Sequence, residues 1–260
     1  MIFYFTGTGN SLYVAKQIEE HPISIPQVIY QDELNFTDER IGIVCPVYGH
    51  EMPEMVKEFI RKATFNTEYF YIVLTYGKRH GGAVELADDF LKSIGKKADY
   101  INHIVMVDNF LPGFDMDEQI ATESEKEIDK HIELIKKDIQ EKKSFRALVT
   151  QTDRDAHQEY LSRTPNGRPD DFFVKVYTVT DECIGCGICS RVCPAGCIKI
   201  EKQRAIHTGE NCQMCMACIH HCPKKAITMS MPEKNPNARF HNSHIKLTEI
   251  VAANDQTSKK

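Results

Sequence analysis

Cys183-Ile-Gly-Cys-Gly-Ile-Cys-Ser-Arg-Val-Cys-Pro194 and Cys212-Gln-Met-Cys-Met-Ala-Cys-Ile-His-His-Cys-Pro223 are the two stretches that decide the fold of the C-terminal part. Both have the spacing C-x2-C-x2-C-x3-C-P, and each position of the second follows its counterpart by 29 residues. Eight thiolates at this spacing are what two [4Fe–4S] cubanes need, and few other sites use the pattern. We therefore expect the chain to handle single electrons at low potential.

Zinc and disulfides are the alternative interpretations of a sequence with ten cysteines. Structural zinc sites usually take two separate C-x2-C pairs, which leaves the third cysteine of each run and the repeated Cys-Pro unexplained. A disulfide framework needs an oxidising compartment and, as a rule, a secretion signal. The N-terminal run Met1–Phe5 has no basic residues and is interpreted as a buried strand, not as a signal peptide. We expect a cytoplasmic protein.

The composition of the chain excludes several classes of protein. It has 260 residues, 42% hydrophobic and 27% charged, with a formal net charge of −5. These values are typical of a globular protein that is long enough for two domains of unequal size. No clustered basic face indicates nucleic-acid binding, and no apolar run approaches the roughly 20 residues of a membrane span. We therefore expect neither a nucleic-acid partner nor a membrane.

Residues 1–143 alternate strand-like and helix-like patterns, which predicts an α/β fold with a doubly wound parallel sheet. Helical periods lie between the runs, including a long one from Ala121 to Ile139. We expect five strands in the order 2-1-3-4-5, an order that binds FMN at its switch point. The predicted strands are short apolar runs buried on both faces: Ile2–Phe5, Ile23–Ile29, Ile41–Cys45, Phe70–Thr75 and Ile101–Val107.

The rest of the chain divides into three parts. Residues 144–174 are polar, contain the turn Thr164–Pro169, and are interpreted as a connection with one short helix near His157–Leu161. The 29-residue repeat fills residues 175–231 and predicts two half-domains related by a pseudo-two-fold axis. The tail, residues 232–260, has a predicted helix around Leu247–Ala253 and a disordered end.

A second motif, Thr6-Gly-Thr-Gly-Asn-Ser11, lies directly after the first predicted strand and directly before the first predicted helix. Hydroxyl groups and the N–H groups of a helix N-terminus together make a phosphate cradle that needs no lysine. The motif is not a Walker A loop, because no G-K-[ST] follows it. It also fails the dinucleotide fingerprint, since Leu12 stands at the third glycine position.

The motif matches the FMN phosphate loop of flavodoxins, T-G-T-G-N-[ST], at Thr6, Gly7, Thr8, Gly9, Asn10 and Ser11. Residues 1–143 resemble that family, and residues 175–231 resemble the small α+β domain of bacterial-type two-cluster ferredoxins. The whole chain is therefore similar to iron–sulfur flavoproteins, which implies FMN and two [4Fe–4S] clusters as cofactors. The chain has no Trp, whereas many flavodoxins stack one on the flavin.

The ferredoxin resemblance implies a ligand set, because the fourth cysteine of each run serves the other cluster in that family. The first cluster would take Cys183, Cys186, Cys189 and Cys222, and the second would take Cys212, Cys215, Cys218 and Cys193. Cys45 and Cys197 lie outside the two runs and are interpreted as small packed residues. His220 and His221 are interpreted as surface residues of a helix.

The flavodoxin resemblance implies two loops around the flavin ring, after the third and fourth strands, and a further contact after the fifth. Tyr48 and Tyr76 are the candidate ring contacts. The expected binding residues are Pro46, Val47, Tyr48, Thr75, Tyr76, Gly77, Gly81, Gly82 and Asn109.

Taken together, the cofactors predict an electron relay. Clusters pass one electron at a time and FMN takes one or two, so the chain would couple one- and two-electron steps between redox protein partners or a small-molecule acceptor. The alternative is an FMN-dependent reductase of a quinone or nitro compound, for which Lys78, Arg79 and His80 are the hint. A redox sensor is a third hypothesis. No residue is assigned a catalytic role.

Overall fold

The structure, a computed structural model, describes residues 1–163, 172–209 and 211–257. The predicted turn Thr164–Pro169 lies outside these residues. Residues 258–260, at the end of the tail that we predict to be disordered, lie outside them too. The described residues form two compact units. The first contains residues 1–5, 11–107 and 123–163, and the second contains residues 6–10, 108–122 and 172–257 apart from residue 210. This division differs from the sequence-based domains, whose boundaries stay predictions.

The first unit is an α/β structure around one main sheet. Its strands are β1 (Ile2–Tyr4), β2 (Ile23–Ser24), β3 (Asn35–Thr37), β4 (Arg40–Pro46), β5 (Thr64–Asn66), β6 (Tyr69–Tyr76), β7 (Tyr100–Val105) and β8 (Phe145–Arg146). Its helices are α1 (Asn10–Ile18), α2 (Ile25–Val28), α3 (Glu54–Lys62), α4 (Ala83–Ser93), α6 (Ile128–Gln140) and α7 (Gln151–Ser162), with a 3₁₀ turn at Glu123–Lys126. The helix α5 (Met116–Ala121) belongs to the second unit.

The main sheet has six parallel strands in the order β2-β1-β4-β6-β7-β8, with β3 and β5 forming a separate parallel pair. Ile41–Cys45 in β4 and Ile72–Leu74 in β6 are fully buried, as expected for central strands covered on both faces. The predicted parallel sheet is confirmed, but the prediction of five strands is wrong. The sixth strand, β8, comes from the segment that we interpreted as a connection, and it pairs with β7 at two positions only.

Three further predictions in this unit need correction. The run Ile23–Ile29 is a strand only as far as Ser24, because Pro26 lies in the first turn of α2 and its fixed φ suits a helix start. The long helical period is broken at Glu127, which has a left-handed φ of 45° before α6 begins. The connecting segment contains the 12-residue helix α7 instead of a short helix near His157.

The second unit contains the cysteine repeat and the tail. Its elements are α5, then α8 (Phe172–Lys175), β9 (Tyr177–Val179), α9 (Ile188–Arg191), β10 (Ile198–Glu201), β11 (Arg204–His207), α10 (Ala217–His220), β12 (Ile227–Met229) and α11 (Leu247–Asn254). The predicted tail helix is thus confirmed as α11. None of the helices in the described residues has both the length and the apolar character required to span a bilayer.

The two copies of the repeat exchange strands. β9 and β10 belong to the first copy, and β11 and β12 to the second. β10 pairs with β11 and β12 pairs with β9, both antiparallel, so that each two-stranded sheet takes one strand from each copy. The helices α9 and α10 are related by the same 29-residue offset as the cysteines. The half-domains therefore depend on each other for their backbone hydrogen bonds.

Candidate metal centre and phosphate loop

Each copy of the repeat places three cysteines at one cavity and its fourth cysteine at the other. The first cavity encloses about 330 Å³, open solvent at its mouth included. Cys186 at this cavity is exposed, whereas Cys189 is buried. The cysteines that line it are Cys183, Cys186, Cys189 and Cys222. These are the four that the ferredoxin resemblance implies for one cluster.

The second cavity has nearly the same volume, about 320 Å³ measured in the same way. Tyr177 and His207 line it and stack on each other, with ring centroids 5.0 Å apart and planes 10° apart. Both nitrogens of His207 are buried without a hydrogen-bond partner among the described residues. The cysteines that line this cavity are Cys193, Cys197, Cys212, Cys215 and Cys218. Cys197 is the one that the sequence interpretation did not place at a cluster.

The loops between the cysteines need left-handed backbone at the same two positions in both copies. Gly185 and Gly187 have φ of 64° and 77°, and their counterparts Met214 and Met216 have φ of 52° and 59°. Glycine adopts this conformation freely, whereas methionine does so at a strain of about 1 kcal/mol or more. The local pattern turns the chain so that three cysteines line one cavity.

The thiols fit a group that carries positive charge. Burial, followed by the charge of Cys222, raises the pKa of Cys189 to about 12. Burial, followed by the charge of Cys193, raises the pKa of Cys215 to about 12. Four adjacent thiols, some of them buried, ionise together only when cations lie among them, as iron ions do. No three His, Cys, Asp or Glu side chains of the described residues converge closely enough to hold a single ion. The cysteines instead surround a space, which is the arrangement that a cluster of several irons requires.

Backbone N–H groups point at several of these sulfurs. Ala205 donates to Cys183 Sγ at 3.4 Å, Cys197 donates to Cys193 Sγ at 3.2 Å, and Ala226 donates to Cys222 Sγ at 3.2 Å. Such bonds stabilise negative charge on sulfur and are one of the ways in which a protein sets the potential of a cluster.

The predicted phosphate loop connects β1 to α1. Thr6, Gly7, Thr8 and Gly9 are buried, and Asn10 is partly exposed. Thr6 Oγ1 accepts from the N–H of Gly9 at 3.1 Å, and Thr8 Oγ1 accepts from Asn109 Nδ2 at 3.0 Å. Because both hydroxyl oxygens act as acceptors, each hydroxyl hydrogen can be donated to a phosphate oxygen. The loop therefore fits the phosphate end of FMN.

The tail packs on this loop within the second unit. Asn242 N–H donates to Thr8 O at 2.8 Å, and a Cβ on Gly9 would lie 2.9 Å from Asn242 Cβ. Asn254 is fully buried, and its Nδ2 donates both to Thr6 O at 3.0 Å and to Val192 O at 3.2 Å. Val192 immediately precedes Cys193, so one side chain connects the predicted phosphate loop to a cluster motif.

His220 corrects the prediction of a surface residue. It is only 3% exposed, its Nδ1 accepts from Phe240 N–H at 3.1 Å, and its Nε2 lies 2.8 Å from Asn109 O. These partners require the tautomer in which Nε2 carries the hydrogen and donates it. Burial lowers the pKa of His220 to about 3. His220 thus links α10 to Asn109, the residue whose side chain donates to Thr8.

The other predicted flavin-binding residues lie in the first unit. Ser11 Oγ is 2.8 Å from Thr75 Oγ1, and Val47 N–H donates to Thr75 O at 2.8 Å. Pro46 pairs with Thr75 at the end of β4, and Gly77 directly follows β6. Tyr48 bridges to Glu51, with its ring edge-on to Phe5 at 6.4 Å. The structure therefore brings Ser11, Val47 and Thr75 together.

Tyr76, Gly81 and Gly82 adjoin a cluster of histidines that the sequence analysis did not recognise. The ring of Tyr76 is edge-on to His80 and His103, both at 5.1 Å, and those two rings stack at 4.5 Å. Gly81 and Gly82 are buried with left-handed φ. A Cβ on Gly81 would strike the ring of His50. No sequence signal could have found this cluster, because its members come from loops and strands far apart in the chain.

The structure separates Lys78 and Arg79 from His80, the three residues in which the sequence hints at a substrate site. Lys78 and Arg79 are exposed, but His80 is 8% exposed and its Nε2 lies 3.5 Å from Asp153 of α7. The three residues therefore do not form one basic face. Cys45, interpreted as a packed residue, is fully buried, and burial raises the pKa of its thiol.

Comparison with protein families places the C-terminal part. Residues 175–235 match the family described as 4Fe-4S dicluster domain. This segment is a two-cluster ferredoxin domain. The match covers well under half of the chain, and the flavodoxin resemblance of the remainder stays a prediction.

Three relatives match a short part of the chain. A protein of the ion-translocating oxidoreductase complex of Methanosarcina acetivorans is 45% identical over 47 residues, 18% of either chain. The iron-sulfur protein of Rhodospirillum rubrum is 31% identical over 74 residues, 21% of this chain and 39% of that protein. The ferredoxin-like protein in nif region of Nostoc sp. is 41% identical over 49 residues, 18% of this chain and 42% of that protein. The chain thus spans less than half the length of each relative.

Proposed function

We propose that this chain is an electron-transfer protein that holds two [4Fe–4S] clusters and one FMN, and relays electrons among them. The observation that carries the proposal is the crossed arrangement of the cysteines, in which each cavity takes three from one copy of the repeat and the fourth from the other. Two cubanes supply one-electron chemistry and FMN couples it to two-electron chemistry. A redox protein or a small-molecule acceptor would take up the electrons.

The residues of the chain bind the clusters and limit the access of water. Ile184 and Ile200 line the first cavity, while Met216 and Tyr177 line the second. Apolar side chains lower the local dielectric constant, and the N–H groups of Ala205, Cys197 and Ala226 compensate negative charge on the sulfurs. Together they would hold the potentials in a range suited to electron exchange.

The FMN part of the proposal is supported at the phosphate end. Thr6 and Thr8 hold hydroxyl groups in the loop that precedes α1. A helix N-terminus favours a doubly charged phosphate. Lateral contacts of the ring with Tyr48 and Tyr76 remain an expectation of the resemblance.

The test uses two single-ligand variants of the full chain, purified and reconstituted without oxygen. We expect about eight irons and one FMN per unmodified chain. Cys193→Ala should lose the cluster of the second motif although Cys193 belongs to the first, and Cys222→Ala should do the reverse. Cys45→Ala is the matched control and should keep all the iron. EPR and Mössbauer spectra then report which cluster is lost.

Three results would contradict the proposal. Bound zinc in place of iron would exclude electron transfer. Loss of the cluster of its own motif in Cys193→Ala would exclude the crossed ligand set. Eight irons without FMN in the presence of excess flavin would limit the function to the ferredoxin part.

A further inference from the structure

At one position that the repeat relates, the second cavity has a cysteine and the corresponding residue of the other copy is an alanine. Cys197 and Ala226 are counterparts, 29 residues apart. Each donates its backbone N–H to the cysteine four residues earlier, Cys193 or Cys222, and the distance is 3.2 Å in both. Both residues are also buried, with exposures of 3% and 1%. The backbone environment is therefore matched, and the side chain is the difference.

Cys197 lines the second cavity together with the four proposed ligands, which makes five cysteines where a cubane binds four. It is also in hydrogen-bonding contact with the side chain of Cys193. A cysteine that is bound to iron is a thiolate and can only accept a hydrogen bond. In the loaded protein the donor in this contact must therefore be the thiol of Cys197.

We propose that Cys197 is a positioning residue whose S–H group donates a hydrogen bond to iron-bound Cys193 and raises the reduction potential of the second cluster. The inference rests on the proposed function, because it requires clusters in both cavities. Reduction adds negative charge that is shared by the ligand sulfurs, so a donor stabilises the reduced state more than the oxidised state. Ala226 supplies no such donor to Cys222.

The step that Cys197 affects is the movement of one electron between the clusters. The reduced first cluster is oxidised and the oxidised second cluster is reduced, while no proton moves and no bond is made or broken. The thiol shifts this equilibrium toward the second cluster. Cys193, a proposed ligand of the second cluster, directly follows Val192. The carbonyl oxygen of Val192 accepts a hydrogen bond from Asn254.

The experiment is an anaerobic redox titration of the full, cluster-loaded chain, followed by EPR. Cys197→Ala should lower one of the two midpoint potentials and leave the other unchanged. We expect the ratio of electrons on the second cluster to electrons on the first to fall about tenfold, because a hydrogen bond to a charged acceptor contributes a net free energy of this order. Tenfold corresponds to about 59 mV for a one-electron couple. Cys197→Ser keeps a donor and should restore most of the shift.

The reciprocal variant Ala226→Cys adds a thiol to the residue that bonds Cys222 and should raise the other midpoint. If this variant fails to load iron, the Ala and Ser variants at Cys197 decide the question by themselves. Unchanged midpoints in Cys197→Ala, equal shifts of both, or loss of four irons, which would make Cys197 a ligand, each overturn the inference alone. A wild-type chain that loads fewer than two clusters overturns the proposed function together with it.

Discussion

At the scale of single residues, His103 shows how burial determines charge. Its ring stacks on His80 inside the first unit, and burial followed by the charge of His80 lowers its pKa from 6.5 to about 4. His131 adds to the lowering, whereas Asp153 opposes it. In the folded chain His103 is therefore neutral at pH values where the unfolded chain binds a proton.

This difference predicts a loss of stability on acidification. Because the folded pKa lies below the unfolded one, the contribution is complete above about pH 6.5 and is lost as the pH falls toward 4. Between pH 7.5 and 5.5 we expect about 1 kcal/mol from this group. Urea unfolding at the two pH values should show a smaller difference for His103→Gln than for the wild type. The exposed His21→Gln should behave like the wild type, and equal pH dependence of all three would contradict the prediction.

Gly185 is the residue at which the cluster loop tolerates no side chain. Its φ is 64°, and a Cβ would lie 2.6 Å from the carbonyl oxygen of Gln203. We expect Gly185→Ala to lower the free energy of unfolding by about 2–4 kcal/mol, from strain and overpacking together. Gly95→Ala is the control, because Gly95 has a φ of 70° with nothing within 4 Å. It should show the strain alone, and equal losses in both variants would show that the contact with Gln203 has no cost.

At the scale of elements, α7 shows that a polar stretch forms a helix when its N-terminus is capped. Thr150 and Asp153 form a capping box, in which Thr150 Oγ1 accepts from Asp153 N–H at 3.2 Å and Asp153 accepts from Thr150 N–H at 2.9 Å. The same carboxylate faces His80 at 3.5 Å. The cap therefore both begins the helix and orients an acidic group toward the histidines.

Removing the cap should weaken this element. We expect Thr150→Ala to lower the free energy of unfolding by about 1 kcal/mol, since the N–H groups of the first turn lose their acceptor. Thr152→Ala lies two positions further on, in the exposed part of the same helix, and should be neutral or slightly stabilising. Thermal unfolding followed by circular dichroism measures both. A Thr150→Ala midpoint equal to that of Thr152→Ala would show that the box contributes nothing.

At the scale of the whole molecule, Asn254 joins parts of the second unit that are far apart in sequence. Its amide bonds Thr6 O, 248 residues away, and Val192 O, 62 residues away. Its Oδ1 is buried without a hydrogen-bond partner among the described residues. No other side chain of the same shape as Asn254 can donate hydrogen bonds to both buried carbonyl oxygens.

Asn254→Asp should therefore be strongly destabilising. The carboxylate cannot donate to either carbonyl, and burying it costs several kcal/mol unless it takes up a proton. We expect a lower unfolding midpoint and faster amide exchange in residues 6–10, measured by hydrogen exchange with mass spectrometry. Asn237→Asp makes the same chemical change at an exposed site and should change neither. Unaltered exchange in residues 6–10 would show that Asn254 does not hold the loop.

The sequence predicted most of the first unit, but with particular errors. Apolar runs such as Ile41–Cys45 predicted the central strands because a buried parallel strand needs a continuous apolar run. The edge strand β8 was missed because two residues, Phe145 and Arg146, carry no periodic signal. α7 was predicted too short, since its apolar face is weak and its stability depends on the cap and on packing.

Cysteine spacing alone determined that the chain carries a two-cluster ferredoxin domain, because three of the cysteines at each cavity lie in one short loop, where local backbone geometry decides their positions. The tertiary structure decided the rest. It placed Cys197 at the second cavity and the N–H of Ala226 next to Cys222, buried His220 against Asn109, and brought Asn254 to Thr6. Such contacts join residues between which the sequence has no periodicity, so they depend on how the finished elements pack.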